Sequence, residues 1–210
     1  MNNTSHKLQA VLQVQIGKGN VHSVVAAVQS NDRRIDFAGS AGIADPVTGT
    51  KMTADTPYFL ASITKVYTAA IVLRLYQEKR LDLDAPISQY LSSNIPDGGM
   101  VSTAPESVTF LRAFFEGVLF DKVFFKRMLD WNTIFFPLRY GYGLIYFKLP
   151  CFFWIHPLPE FIGHSGSMGS FAFICPSRSI YIPGTLNQIA SPARPFFLMI
   201  NLVRAANQKA

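Results

Sequence analysis

The stretch Phe59-Leu60-Ala61-Ser62-Ile63-Thr64-Lys65-Val66-Tyr67-Thr68-Ala69-Ala70 places a serine and a lysine three residues apart at the start of an apolar segment. We predict a buried helix that begins here and runs to about Lys79. Because residues i and i+3 share one face of a helix, the lysine amine can reach the serine hydroxyl. A lysine kept partly neutral can take the proton of a serine and make it a nucleophile. A serine at a helix start is also a common N-cap, so this motif alone leaves a purely structural role open.

The composition of the chain fits one folded domain. Its 210 residues are 49% hydrophobic and 15% charged, which disfavours disorder as the general state. The net charge of +6 comes without dense clusters of lysine and arginine. Binding to nucleic acid or to a membrane surface is therefore disfavoured, because both rely on clustered positive charge.

Neither the cysteines nor the chain start indicates a special environment. Cys151 and Cys175 have no CxxC or Cys/His pattern around them, so we predict buried free thiols, no metal and no cofactor. Met1-Asn2-Asn3-Thr4-Ser5-His6 lacks the features of a secretory signal, which predicts a cytoplasmic protein or the mature form of an exported one. Prolines interrupt the most apolar region, so we predict no membrane span.

Hydrophobic patterns and turn residues predict an α+β fold. Helices are expected over 6–17, 62–79, 108–116, 122–129 and 192–206, and strands over 21–30, 33–38, 142–149, 161–164, 170–175 and 179–186. Residues 39–56 are rich in Gly, Pro, Thr and Asp and predict a loop. This order predicts an antiparallel sheet in a single domain over 1–210, with the first and last helices packed together on one face.

A second motif, His164-Ser165-Gly166-Ser167, follows the short apolar strand that begins at Phe161. Together with Ser62 and Lys65, it resembles the serine β-lactamase and penicillin-binding protein superfamily, most closely its class C-like branch of esterases, D-amino peptidases and β-lactamases. Further segments look like family segments in family order, namely Asp55-Thr56-Pro57-Tyr58, Leu81-Asp82-Leu83-Asp84-Ala85-Pro86, Gly98-Gly99-Met100-Val101-Ser102-Thr103, Gly141-Tyr142-Gly143-Leu144 and Gly163-His164-Ser165-Gly166. The resemblance implies a β-lactamase-like α/β domain.

The resemblance also implies a role for each motif residue. Ser62 would form an acyl-enzyme, and Lys65 would accept the serine proton or tune the group that does. His164, Ser165 and Gly166 stand where the family carries its K-T-G or H-T-G triplet, on a strand that binds the substrate edge. The backbone N–H groups of Ser62 and Ser167 would form the oxyanion hole. From the residues alone, two purely structural roles also stay open. His164 can be a histidine at the end of a strand, and Ser165-Gly166-Ser167 can be a plain turn.

The sequence departs from the family pattern in one respect. Relatives carry a Y-x-N or S-x-N motif on a helical lobe inserted after the nucleophile helix, but only 98 residues separate Lys65 from His164 here. We predict that the lobe is missing and that its junction lies at about 91–99. Tyr90-Leu91-Ser92 and Ser92-Ser93-Asn94 imitate the lost motif but lie too close to the nucleophile helix, and we assign Tyr140 and Tyr142 to core or rim packing.

Loss of the lobe would leave apolar surface to be covered in another way. Twelve of the 18 phenylalanines fall between Phe110 and Phe161, together with Trp131 and Trp154. Such a concentration predicts a homo-oligomer, because exposed apolar patches favour self-association.

Two functions of different classes therefore stay open. The first is a serine hydrolase acting through an acyl-enzyme on small esters, with weak activity on β-lactams or peptides. The second is a compact penicillin-binding-like domain that binds substrate or becomes acylated without turnover. The expected partner is a small ester or β-lactam in either case.

Overall fold

The computed structural model describes residues 3–18, 20–91, 98–149 and 158–207. Its larger helices are α1 (Asn3–Gln13), α2 (Thr64–Gln77), α3 (Ala104–Phe115), α4 (Phe125–Met128) and α5 (Arg194–Asn207), with short 3-10 turns at Ala61–Ile63, Ile87–Gln89, Lys122–Phe124 and Pro176–Arg178. The strands are β1 (Ser23–Ser30), β2 (Asp36–Asp45), β3 (Thr50–Lys51), β4 (Tyr58–Phe59), β5 (Val101–Ser102), β6 (Asn132–Phe135), β7 (Leu138–Tyr140), β8 (Ile145–Phe147), β9 (Phe161–Ser165), β10 (Ser170–Cys175) and β11 (Ile180–Thr185).

One antiparallel sheet organises the described part of the chain, with nine strands in the order β3-β2-β1-β11-β10-β9-β8-β7-β6. Strand β11 pairs with β1, so the end of the chain returns to its beginning. Strands β4 and β5 form a separate pair beside the start of α2.

Helices cover both faces of the large sheet. On one face, Leu8 and Leu12 of α1 and Leu198 and Leu202 of α5 are buried in one core with Phe173 of β10. The predicted packing of the first and last helices on one face is confirmed. Each of these helices thereby buries its apolar face against another element.

The second face of the sheet carries α2 and α3. Leu60 and Ile63, which flank Ser62, are buried with Val108 and Leu111 of α3 and Ala172 of β10. The predicted α+β architecture with an antiparallel sheet is thus confirmed. Helix α2 buries one side through Val66, Ala70 and Leu73, whereas Ile71 on the other side is 60% exposed.

Three sequence predictions are corrected. Residues 39–45, predicted as loop, continue β2 in spite of the glycines, because residues 39–42 pair with β1 and Ile43 and Asp45 pair with β3. Helix α1 begins at Asn3 and ends at Gln13, earlier at both ends than predicted. The strand predicted over 142–149 is limited to Ile145–Phe147, and the short strands β6 and β7 before it were not predicted.

The phenylalanine-rich region is partly buried. Phe114, Phe120 and Phe125 pack edge to face or tilted, with ring centroids 5.1 to 5.6 Å apart, in a cluster under α2. Phe135 and Phe136, in contrast, are 60% and 75% exposed at the edge strand β6. Self-packing therefore covers one part of this apolar region and leaves another part at the surface.

Some predictions concern residues outside the described ranges. Cys175 is a buried free thiol, as predicted, and burial raises the pKa of its thiol. Cys151, Trp154 and most of the junction near 91–99, including Ser93 and Asn94, lie outside the described residues. Among the helices that the structure describes, none combines the length and the apolar character needed to cross a membrane.

Candidate active site

Ser62 lies in the 3-10 turn that leads directly into α2, and Lys65 lies one turn further on. The Lys65 Nζ atom is 3.2 Å from the Ser62 Oγ atom, and both side chains are half-buried. The i, i+3 spacing thus produces the contact expected from helix geometry. The pair combines a hydroxyl and an amine at hydrogen-bonding distance, which is the arrangement that nucleophile activation requires.

The backbone just before Ser62 is strained. Ala61 has a φ angle of +49°, in the left-handed region that costs a residue with a Cβ roughly 1 kcal/mol. Leu60 is fully buried and holds this turn to the core. Strained backbone of this kind persists where the surrounding structure fixes it, and it clusters at functional sites.

The segment before Ser62 is fixed by the glycine-containing segment at 98–103. Phe59 pairs with Val101, and the Leu60 amide donates to the Met100 carbonyl at 2.9 Å. The Met100 amide in turn lies 3.4 Å from the Thr64 Oγ1 atom. The segment before Ser62 and the segment at 98–103 are therefore neighbours in the fold, and the second holds the first in place.

The turn after β9 packs against the same segment. The Ser170 hydroxyl donates to the Leu60 carbonyl at 2.8 Å, and the Gly166 amide donates to the Ser170 carbonyl at 2.8 Å. A Cβ added to Gly166 would lie 2.5 Å from the Leu60 carbonyl oxygen and 2.9 Å from the Ala61 Cβ. Only glycine allows this approach, which brings the Ser165-Gly166-Ser167 turn next to Ser62.

The resemblance assigns the backbone amides of Ser62 and Ser167 to the oxyanion hole. Within the described ranges, neither the Ser62 amide nor the Ser167 amide donates to a carbonyl in a turn, loop or cap. Ser167 is exposed and Ser62 is half-buried. Amides of this kind can serve as donors to a substrate oxygen.

His164 is buried, with 5% of its surface exposed, and its ring has two defined neighbours. The Nδ1 atom lies 2.7 Å from the Ser165 carbonyl, which can only accept, so Nδ1 carries the proton. The Nε2 atom then accepts a hydrogen bond from the Tyr140 hydroxyl at 3.3 Å. Burial, with a smaller contribution from the charge of nearby Lys65, lowers the pKa of His164 to about 4, so the ring is neutral at pH 7.

Tyr140 is the site residue that sequence reasoning missed. Its ring packs edge to face against the His164 ring, with centroids 5.7 Å apart, and burial raises the pKa of its hydroxyl. The packing role predicted for it is thus incomplete, since its hydroxyl also binds His164. Recognising β7 as a strand would have placed Tyr140 opposite Ile145, which itself pairs with Gly163 beside His164.

Neither Tyr90, which imitates the lost motif, nor Tyr142, which was assigned to packing, has a described contact with the predicted site residues. The Tyr90 hydroxyl accepts a hydrogen bond from the Asp82 amide at 2.9 Å, so it is used in the loop after α2. Tyr142 is 68% exposed. Of the tyrosines considered from the sequence, Tyr140 is therefore the one with a described contact to a predicted site residue.

Comparison with known proteins gives a consistent family. The sequence model of the Beta-lactamase family matches residues 8–99. Esterase EstB of Burkholderia gladioli is 35% identical over 85 residues, which make up 40% of this chain and 21% of the esterase. The match thus spans about a fifth of the length of that relative.

Solved structures share the fold. A D-amino acid amidase from Ochrobactrum anthropi SV3, in complex with L-phenylalanine amide, gives a TM-score of 0.79 at 15% identity, covering 97% of this chain and 98% of the amidase chain. The octameric penicillin-binding protein homologue from Pyrococcus abyssi gives a TM-score of 0.74 at 14% identity, covering 94% of this chain and 76% of that one. At these identities the likeness shows the fold alone.

The architecture is that of a β-lactamase-like protein. The family model covers less than half of the chain, and its match, the esterase relative and the shared fold agree with the resemblance to the serine β-lactamase and penicillin-binding protein superfamily seen in the sequence.

Proposed function

We propose that this protein is a serine hydrolase that cleaves small esters through an acyl-enzyme. The observation that carries the proposal is the 3.2 Å contact between Lys65 Nζ and Ser62 Oγ. The sequence similarity to the Beta-lactamase family and to an esterase supports it, and an amidase shares the fold.

In the proposed reaction, the Ser62 Oγ atom attacks the ester carbonyl carbon as neutral Lys65 takes the hydroxyl proton. The Oγ–C bond forms, the carbonyl oxygen becomes an oxyanion, and the amides of Ser62 and Ser167 donate to it. The C–O bond to the alcohol then breaks, and the proton passes from Lys65 to the leaving oxygen. Water, activated in the same way, cleaves the acyl-enzyme and restores Ser62.

His164 and Tyr140 act in this proposal as positioning residues. A neutral His164 accepts from the Tyr140 hydroxyl and so places no positive charge of its own beside Lys65. Esters with good leaving groups suit this site best, because they need less help from a proton donor.

The experiment is hydrolysis of p-nitrophenyl acetate by the wild type and by Ser62→Ala. We expect Ser62→Ala to fall to the uncatalysed rate and Lys65→Met to lose roughly 10²- to 10⁴-fold, the usual contribution of a general base. Ser177→Ala, which removes an exposed serine hydroxyl from the 3-10 turn between β10 and β11, is the matched control and should keep the wild-type rate. Equal rates for wild type and Ser62→Ala would exclude Ser62 as the nucleophile.

The same assay separates turnover from simple acylation. A burst of about one p-nitrophenolate per chain with no steady rate would indicate the second candidate, a domain that is acylated without turnover. A steady rate after the burst supports the hydrolase.

A further inference from the structure

A large cavity opens beside the Ser165-Gly166-Ser167 turn, on the side of the sheet that faces α5. Its volume is about 790 Å³, within the range of small-molecule sites. Phe147 and Phe196 lie at its floor, and Phe135, Ile189 and Phe197 stand at its rim with 57% to 68% of their surfaces exposed.

The floor of the cavity belongs to the core of the protein. The rings of Phe147 and Phe196 are 4.7 Å apart, and Phe196 also meets Phe173 of β10 with centroids 5.9 Å apart. Phe147 is 4% exposed and Phe173 is fully buried. Since packed core side chains hold one arrangement, the cavity has a fixed base.

The wall of the cavity is bonded to the turn that neighbours Ser62. The Leu186 amide donates to the Gly169 carbonyl at 3.1 Å, and the Gln188 amide donates to the Met168 carbonyl at 3.1 Å. The segment that contains Gln188 and Ile189 is therefore attached to the residues directly after Ser167. A group held in the cavity would keep a constant position relative to the proposed oxyanion amide of Ser167.

The chemistry of the lining is apolar. None of the described residues that line it is charged. The side-chain amide of Gln188 is already used, because its Nε2 donates to the Ser191 carbonyl at 3.0 Å and its Oε1 accepts from the Ser191 amide at 2.8 Å. A charged ligand group would lose its hydration here without gaining a partner, whereas an aliphatic or aromatic group would gain from burial.

We infer that this cavity binds the apolar group of an ester whose carbonyl lies at the Ser165-Gly166-Ser167 turn. The inference rests on the proposed function, because it places the substrate carbonyl at the turn that packs against the segment before Ser62. The apolar group can belong to the acyl part or to the alcohol part of the ester, and both present the same aliphatic or aromatic surface to the cavity.

The test uses two ester series and one rim substitution. The first series is p-nitrophenyl esters with acyl chains of increasing length, and the second is acetate esters of increasingly long alcohols. We expect kcat/KM to rise by roughly two- to fourfold per added methylene in one series, as burial of each methylene allows. Ile189→Asp should abolish this rise, because a carboxylate at the rim opposes the burial of each added methylene.

The matched control is Val47→Asp. Val47 is 92% exposed in the turn between β2 and β3 and does not line the cavity, so this substitution introduces the same charge on a different surface. It should keep the full dependence on chain length. Ile189 is itself 68% exposed, so its replacement should leave the fold intact, which circular dichroism would check.

The outcomes separate this inference from the proposed function. Hydrolysis that depends on Ser62 but shows no chain-length dependence in either series overturns the cavity assignment and leaves the proposed hydrolase function unaffected.

If no ester is cleaved, the cavity is tested by binding alone. Saturation-transfer NMR then measures whether octyl acetate binds to Ser62→Ala. Binding that is lost on adding Ile189→Asp supports the cavity, and absence of binding overturns it. A change in the state of association caused by Ile189→Asp alone would show a second copy in the cavity and would also overturn it.

Discussion

His164 is neutral at pH 7 because burial holds its pKa at about 4, well below the ordinary value of 6.5. The groups that face its ring are the Tyr140 hydroxyl, the Ser165 carbonyl and the Lys65 amine. The unfolded chain binds a proton at this residue below about pH 6.5, whereas the folded chain does so only below about pH 4. The neutral ring therefore favours the folded state above about pH 6.5, and this contribution to stability is lost as the pH falls from about 6.5 to about 4.

This difference predicts an acid-dependent loss of stability. Between pH 7 and pH 5, the wild type should lose about 2 kcal/mol in its free energy of unfolding through His164, by linkage. His164→Asn cannot take up this proton, so its loss over the same interval should be smaller by that amount. Urea unfolding at both pH values measures the difference. Identical losses in the two proteins would contradict the burial of a neutral His164.

At the scale of elements, the site depends on the close approach of the β9 turn to the segment before α2. Gly166→Ala would place a Cβ 2.5 Å from the Leu60 carbonyl oxygen, and this backbone atom cannot move without shifting Ser62. We expect a loss of at least about tenfold in kcat and roughly 1–3 kcal/mol of stability, as for other overpacked sites. Gly98→Ala is the control, since a Cβ at Gly98 meets nothing within 4 Å. Wild-type activity in Gly166→Ala would show that the turn does not position Ser62.

The sequence predicted the elements that follow simple periodic rules. The spacing of Ser62 and Lys65 predicted their contact, and apolar runs between turns predicted β9, β10 and β11. Helix α3, predicted over 108–116, begins earlier at Ala104, because Thr103 caps it with Glu106 in a reciprocal capping box.

The sequence did not predict features that depend on partners distant along the chain. All residues of β6 are exposed and β7 has only three residues, so neither shows a buried alternation. Without β7, no local pattern could bring Tyr140 to His164, because the contact spans 24 residues and passes through β8. The cavity likewise depends on side chains from β8, α5 and the loop after β11, which meet only in the folded chain.

At the scale of the whole molecule, the exposed edge of the large sheet bears on the predicted homo-oligomer. Strand β6 is the last strand of the sheet in the described part of the chain, and it presents Ile134, 53% exposed, next to Phe135 and Phe136. An apolar edge strand is a template for pairing with another chain. We therefore expect a second copy of the chain to pair with this edge strand.

Light scattering coupled to size exclusion tests this expectation. The wild type should elute as a dimer or larger species at micromolar concentration, and Phe136→Lys should shift it towards the monomer, because a charge at an edge strand opposes pairing. Val47→Lys, on a different exposed turn, should leave the elution unchanged. A wild type that stays monomeric over a wide concentration range would contradict the predicted oligomer.

The central claim is that Ser62, next to Lys65, forms a covalent acyl-enzyme. Its most direct test is mass spectrometry of the protein after brief reaction with p-nitrophenyl acetate, followed by proteolysis and mapping of the modified peptide. We predict a mass increase of one acetyl group on the peptide that contains Ser62, present in the wild type and absent in Ser62→Ala. An acetyl group mapped to another residue, with Ser62 unmodified, would contradict the claim.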